Sequence, residues 1–209
     1  MAAMDIQFLK TAFITLFVAL DPPGLIAIFL SLTAHMGSHD RKATAYHAVI
    51  VALAILVAAA FGGESVLGLL GITVPAFRIA GGLLLFYIAF EMVFEKRAER
   101  KEQAAEEVIH DHPKNIAVFP LAIPMMAGPG AITATILQAG RAVGIVNQLG
   151  LLVILAAIIG ICLLSFLLAN QLDKLLGHTG RTVLSRLLGL LLAALAIQIV
   201  GDGVMAFAR

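Results

Sequence analysis

Six times along this chain a run of about twenty mostly apolar residues is set off by short polar or charged stretches. A run of that length is what an α-helix needs to cross the hydrocarbon core of a bilayer. The runs fall at about residues 8–33, 46–61, 74–94, 115–137, 148–169 and 184–207. Backbone in lipid must satisfy its own N–H and C=O groups, so such segments are helices or the strands of a closed barrel. Barrel strands would be short and alternating, and these runs are long and continuous. Residues 62–72, which open with Gly62-Gly63-Glu64-Ser65, are too few to span and are expected to form an interfacial or re-entrant piece. The expected fold is an all-α integral membrane protein, a single transmembrane domain over residues 1–209 with six transmembrane helices.

Composition agrees and excludes several functions. The chain is 61% hydrophobic, where a soluble domain is about 45–50% apolar. A formal net charge of +1 with no basic stripe argues against nucleic acid as a partner. The single cysteine, Cys162, lies inside an apolar run and leaves no disulfide framework. His110-Asp111-His112 offers too few ligands for a metal, so no metal and no cofactor are expected. The first apolar run lacks a basic leader and a small-residue cleavage site, and reads as a retained helix.

Lysine and arginine set the expected orientation, because loops rich in them stay in the cytoplasm. One side receives Arg41, Lys42, Lys96, Arg97, Arg100, Lys101, Lys114, Lys174, Arg181 and Arg186; the other receives Lys10, Arg78, Arg141 and Arg209. Both termini are then outside, and the charged linker at 95–113 is cytoplasmic. Opposite charges alternate along that linker, the pattern of a solvated segment.

The two halves resemble each other. Asp21-Pro22-Pro23-Gly24-Leu25-Ile26-Ala27-Ile28-Phe29 in the first span parallels Ala127-Gly128-Pro129-Gly130-Ala131-Ile132-Thr133-Ala134-Thr135 in the fourth. Arg78-Ile79-Ala80-Gly81-Gly82-Leu83 parallels Arg186-Leu187-Leu188-Gly189-Leu190-Leu191 at nearly the same offset. Repeat one would cover about 1–94 and repeat two about 114–209. With three spans each, the second copy must cross the membrane in the opposite sense, giving two inverted three-helix repeats.

Both Pro-Gly motifs fall about twelve residues into their spans, near the membrane midplane at ~1.5 Å per residue. Proline removes a donor and clashes with the preceding turn, so helices 1 and 4 are expected to be broken there. Matched breaks in inverted halves are the best sequence pointer to a substrate site. The expected binding residues are Asp21, Pro22, Pro23, Gly24, Gly128, Pro129, Gly130 and Thr133. Asp and Pro are favoured at the start of a helix, so Asp21 should cap a second half-helix. As an intramembrane carboxylate it is also the candidate for ion or proton coupling. Half-helix N-termini suit a carboxylate and half-helix C-termini suit a cation, so a small zwitterion fits best. Gln198 is expected to act as packing glue across helices, and Thr135 to bond back to its own helix. Glu64, Glu91 and Asp202 lie near span ends and are expected to be solvated. Gly81, Gly82 and Gly189 fit close helix packing.

Asp21-Pro22-Pro23-Gly24, residues 77–85, Ile116-Ala117-Val118-Phe119-Pro120-Leu121-Ala122-Ile123-Pro124, Ala127-Gly128-Pro129-Gly130-Ala131 and Arg186-Leu187-Leu188-Gly189 together resemble the MarC family of inner-membrane proteins, and more remotely the LysE-type exporters. The resemblance implies a six-helix protein of the cell inner membrane carrying small neutral amino acids such as glycine and alanine. Its partners would be that solute and the lipid bilayer; the oligomeric state is left open. The alternative is a non-transporting membrane protein with a structural or partner-binding role. An intramembrane enzyme is not expected, since catalysis would need a nucleophile and base, paired carboxylates or a metal at that depth.

Overall fold

The protein is described by a computed structural model covering residues 5–97, 100 and 116–208. Most of the charged linker, with Lys101, Lys114 and His110-Asp111-His112, lies outside the described residues, as does Arg209. The described elements are α1 (Ile6–Leu20), α2 (Pro22–Leu32), α3 (Ser38–Leu69), α4 (Val74–Val93), the wide helical segment α5 (Ala117–Met126), α6 (Pro129–Ala139), α7 (Ile145–Leu167) and α8 (Ala169–Phe207). Five spans are long and apolar enough to cross a membrane, α1 with α2 forming one of 27 residues. The pair α5 and α6, bent by 58°, supplies a sixth if it is a single crossing. The all-α, multi-pass fold expected from the apolar runs is what forms.

Two boundaries depart from expectation. Residues 62–69 are not a separate re-entrant piece: α3 runs 32 residues straight through Gly62-Gly63-Glu64-Ser65. Two adjacent glycines lower helix propensity by about 1 kcal/mol each, which an established helix packed on its neighbours absorbs. The last helix begins at Ala169 rather than near residue 184, and is kinked at Gly177 (φ 60°, ψ −177°). That backbone conformation is open essentially to glycine alone.

The fourth span is less regular than a helix with one break. Phe119 (φ −131°, ψ 121°) and Ile123 (φ −124°, ψ 124°) are extended, and each precedes a proline through a cis peptide bond. A residue before proline is pushed from helical to extended geometry, so two X-Pro pairs four residues apart unwind the stretch. Two bonds there span five residues, Leu121 N–H to the Ile116 carbonyl at 3.2 Å and Ala127 N–H to that of Ala122 at 2.8 Å.

The broken first span sits at the centre of the bundle: 67% of its apolar window is buried, against 22% for α3 and α8. Phe61, Val153 and Leu190 point outward and exposed, as side chains facing lipid would. α4 and α8 lie antiparallel and very close. A Cβ at Gly82 would come within 3.0 Å of the Ala196 carbonyl, and one at Gly189 within 3.0 Å of the Ala89 carbonyl. The close-packing role expected of these glycines is therefore observed. α3 pairs with α7; α2 packs on α8 as α6 packs on α4; α1 packs on α7 as α5 packs on α3.

Candidate functional site

At the first break the helix is interrupted by one residue. Asp21 closes α1, its N–H bonding the Phe17 carbonyl at 3.0 Å, and opens α2 from a left-handed conformation (φ 59°, ψ 62°). Its Oδ1 accepts the Gly24 N–H at 3.1 Å, so the N-cap expected from Asp-Pro is formed. A Cβ at Gly24 would sit 2.2 Å from the other carboxylate oxygen, so any larger residue there displaces the capping side chain. Pro22 and Pro23 carry no N–H, so the carbonyls of Val18 and Ala19, four residues back, receive no helical bond.

The second break is built differently. Gly128 is the N-cap of α6 and makes no side-chain cap bond, so among the described residues no cap side chain meets the first-turn amides and the positive end of the helix dipole. A Cβ there would meet the Pro124 carbonyl at 2.4 Å, so no larger residue fits without moving the backbone of α5.

What joins the two breaks is Arg97, from the linker. Glu95 adopts a left-handed conformation (φ 65°), turning the chain back over the bundle after α4. Arg97 is then buried, 7% exposed. It donates from Nη2 to the Ala19 carbonyl at 2.7 Å, one of the two that proline left without a donor, and from Nη1 to the Met92 sulfur at 3.2 Å. Burial lowers its pKa; Asp21 raises it, Arg100 lowers it, and Glu91 raises it. Two ion pairs hold the turn, Arg186 to Glu95 at 2.8 Å and Arg100 to Glu91 at 2.9 Å.

Arg97 lines two cavities. The smaller, about 70 Å³, contains Asp21 and Gly24 together with His178 and Arg181. The larger, about 310 Å³, contains Gly128, Pro129 and Gly130 with Ala19, Tyr87 and Arg100. The residues singled out from sequence thus fall into two neighbouring chambers rather than one. Pro22 and Pro23 are buried and shape the break without lining either chamber. Thr133 lines neither; its methyl group packs against Gly81, where a Cβ would lie 2.7 Å away. Thr135 bonds the Ala131 carbonyl at 2.7 Å, as expected.

Four expectations fail here. Arg97 belongs to a charge run that reads as solvated, yet it is buried at the breaks. Glu91 is 4% exposed and pairs with Arg100 beyond the turn. Gln198 does not bond across helices: it donates to Asp202 on its own helix at 2.8 Å, and Asp202 is not simply solvated but paired with Arg141. A positively charged residue four beyond an apolar span carries no local sign that its chain folds back, so sequence offered no signal for Arg97.

Residues 6–207 match a family described as MarC family integral membrane protein. The chain is 38% identical to a UPF0056 membrane protein of Methanocaldococcus jannaschii over 96% of its length and 98% of the relative's. It is 38% identical to UPF0056 membrane protein YhcE of Escherichia coli, covering 92% and 89%. Against UPF0056 membrane protein YvbG of Bacillus subtilis the figures are 35%, 96% and 95%. No solved structure matches. With a match across nearly the whole chain and relatives in both archaea and bacteria, the chain belongs to the MarC family of integral membrane proteins.

Proposed function

We propose that the protein is a secondary transporter of small neutral amino acids of the glycine and alanine class, working by alternating access around the two helix breaks. The observation that carries this reading is the balanced charge set at the breaks, buried at Asp21, Glu91 and Arg97. Two guanidinium groups, Arg97 and Arg100, stand with two carboxylates, Asp21 and Glu91. Their charges cancel, so a zwitterion enters without adding net charge to a low-dielectric site, whereas a lone cation or anion does not. The open α6 N-terminus suits the carboxylate, and the region of Asp21 and the α1 carbonyls suits the ammonium.

The packing supports the reading of two inverted repeats: α4 and α8 are antiparallel, and the contacts of α2 on α8 and α1 on α7 recur as α6 on α4 and α5 on α3. The loops group into two ends that fit the expected sides. Arg41 bonds Asn170 at 3.4 Å and Arg186 bonds Glu95 at the end richer in basic residues. The Asp5 N–H bonds Asn147 at 3.1 Å and Arg141 meets Asp202 at the other. We assign the basic end to the cytoplasm and the protein to the cell inner membrane, with Asp21 as the coupling residue.

The test is uptake of labelled glycine and alanine into liposomes holding the purified protein, under imposed pH or sodium gradients. Uptake driven by one gradient is the expected result. Uptake indifferent to both removes the coupling assignment, and no uptake of either solute removes the substrate class.

A further inference from the structure

We propose that Arg97 is the specificity-determining residue of the site, its guanidinium receiving the substrate carboxylate across the larger chamber; this rests on the amino-acid reading above. A guanidinium has five N–H donors in a planar fork matched to a carboxylate. Among the described residues Arg97 uses two, on the Ala19 carbonyl and the Met92 sulfur. Arg97 lines both chambers, which brings its remaining donors within reach of a ligand there. Arg100 is the weaker candidate, since its side chain is 57% exposed and already pairs with Glu91.

The difference between the breaks points the same way. The α2 N-terminus has its own carboxylate, Asp21, bonded to Gly24 N–H. The α6 N-terminus has Gly128 at the equivalent place and no side-chain cap. Arg97 faces both chambers. A substrate carboxylate at the start of α6 takes the position that Asp21 takes at the start of α2, with one guanidinium between them. The Ala19 bond holds that guanidinium in place before the ligand arrives, so little ordering remains to oppose binding.

The experiment is thermal unfolding of the full chain in lipid nanodiscs with L-alanine, propionate or ethylammonium, comparing wild type, R97Q and R97K. Wild type should be stabilised by L-alanine and, more weakly, by propionate, and not by ethylammonium. R97Q should bind L-alanine roughly 30-fold or more weakly, as when one partner of a buried charged pair is lost. R97K, a point charge without the fork, should fall between. If R97Q keeps wild-type affinity for L-alanine, Arg97 is not the anchor, while the transporter reading survives. If R97Q instead gains stabilisation by ethylammonium, Arg97 is a tethered plug in a cation site and the proposal fails. If wild type responds to ethylammonium and not to propionate, the site reads the ammonium and the proposal fails even should R97Q not fold. A wild type that neither binds nor transports L-alanine sinks both readings together.

Discussion

Replacing Asp21 with asparagine separates three roles that the carboxylate combines. Asparagine tolerates the left-handed backbone (φ 59°) better than other non-glycine residues, and it caps a helix about as well as aspartate. The cap to Gly24 N–H and the turn should therefore survive, and only the charge facing Arg97 is lost. Asp21 raises the pKa of Arg97, and opposite charges about 6–8 Å apart attract by roughly 2–3 kcal/mol at an effective dielectric constant of about 20. For a chain of this size that lowers the melting temperature by roughly 5–10 °C. Asp21→Ala also loses the cap, about 1 kcal/mol, and the local side-chain hydrogen bonding that offsets the left-handed backbone, a further 1–2 kcal/mol or so, so its loss should be about twice as large. The single cysteine makes the assay simple: Cys162 is buried, so a thiol-reactive fluorophore reports unfolding. The decisive measurement is the cycle with R97Q. Each single variant removes one side of the attraction between Asp21 and Arg97, whereas the double variant has no such attraction left to lose, so it should recover about 2 kcal/mol relative to additivity. Losses that add within about 0.5 kcal/mol would refute the coupling, and equal losses for D21N and D21A would refute the cap argument.

Gly189→Val drives a side chain against the Ala89 carbonyl, 3.0 Å from the new Cβ; backbone cannot swing aside, and a loss of about 1–3 kcal/mol should follow. Gly160→Ala on α7 meets nothing within 4 Å and should leave the melting temperature unchanged in the same assay. Glu91→Gln removes the carboxylate that holds Arg100 at 2.9 Å; it should cost about 1–2 kcal/mol and speed trypsin cleavage at the start of the linker in a limited-digestion time course. Cysteines placed at the exposed positions Val143 and Leu175 should react with a membrane-impermeant maleimide from opposite sides of the membrane. Labelling of Val143→Cys from outside and of Leu175→Cys only after permeabilisation is the expected pattern, and the reverse would overturn the orientation.

What the sequence alone determined is what depends on local rules. Span length follows from bilayer thickness, and Asp21-Pro22-Pro23-Gly24 breaks a helix wherever it stands, because the lost N–H groups and the cap belong to neighbouring residues. The unwinding of α5 was equally available in Phe119-Pro120 and Ile123-Pro124, since a residue before proline avoids helical geometry. Only the tertiary structure decided how the two breaks are divided between chambers and which group stands between them. Arg97 lies 76 residues from Asp21 along the chain, within a run of charges whose sequence looks like any solvated loop. Its position depends on a left-handed turn at Glu95, on pairs to Glu91 and Arg186, and on a carbonyl that proline left without its donor. None of these is a local preference: each needs a second element brought to the same place, so the cation between the two breaks became visible only in the fold.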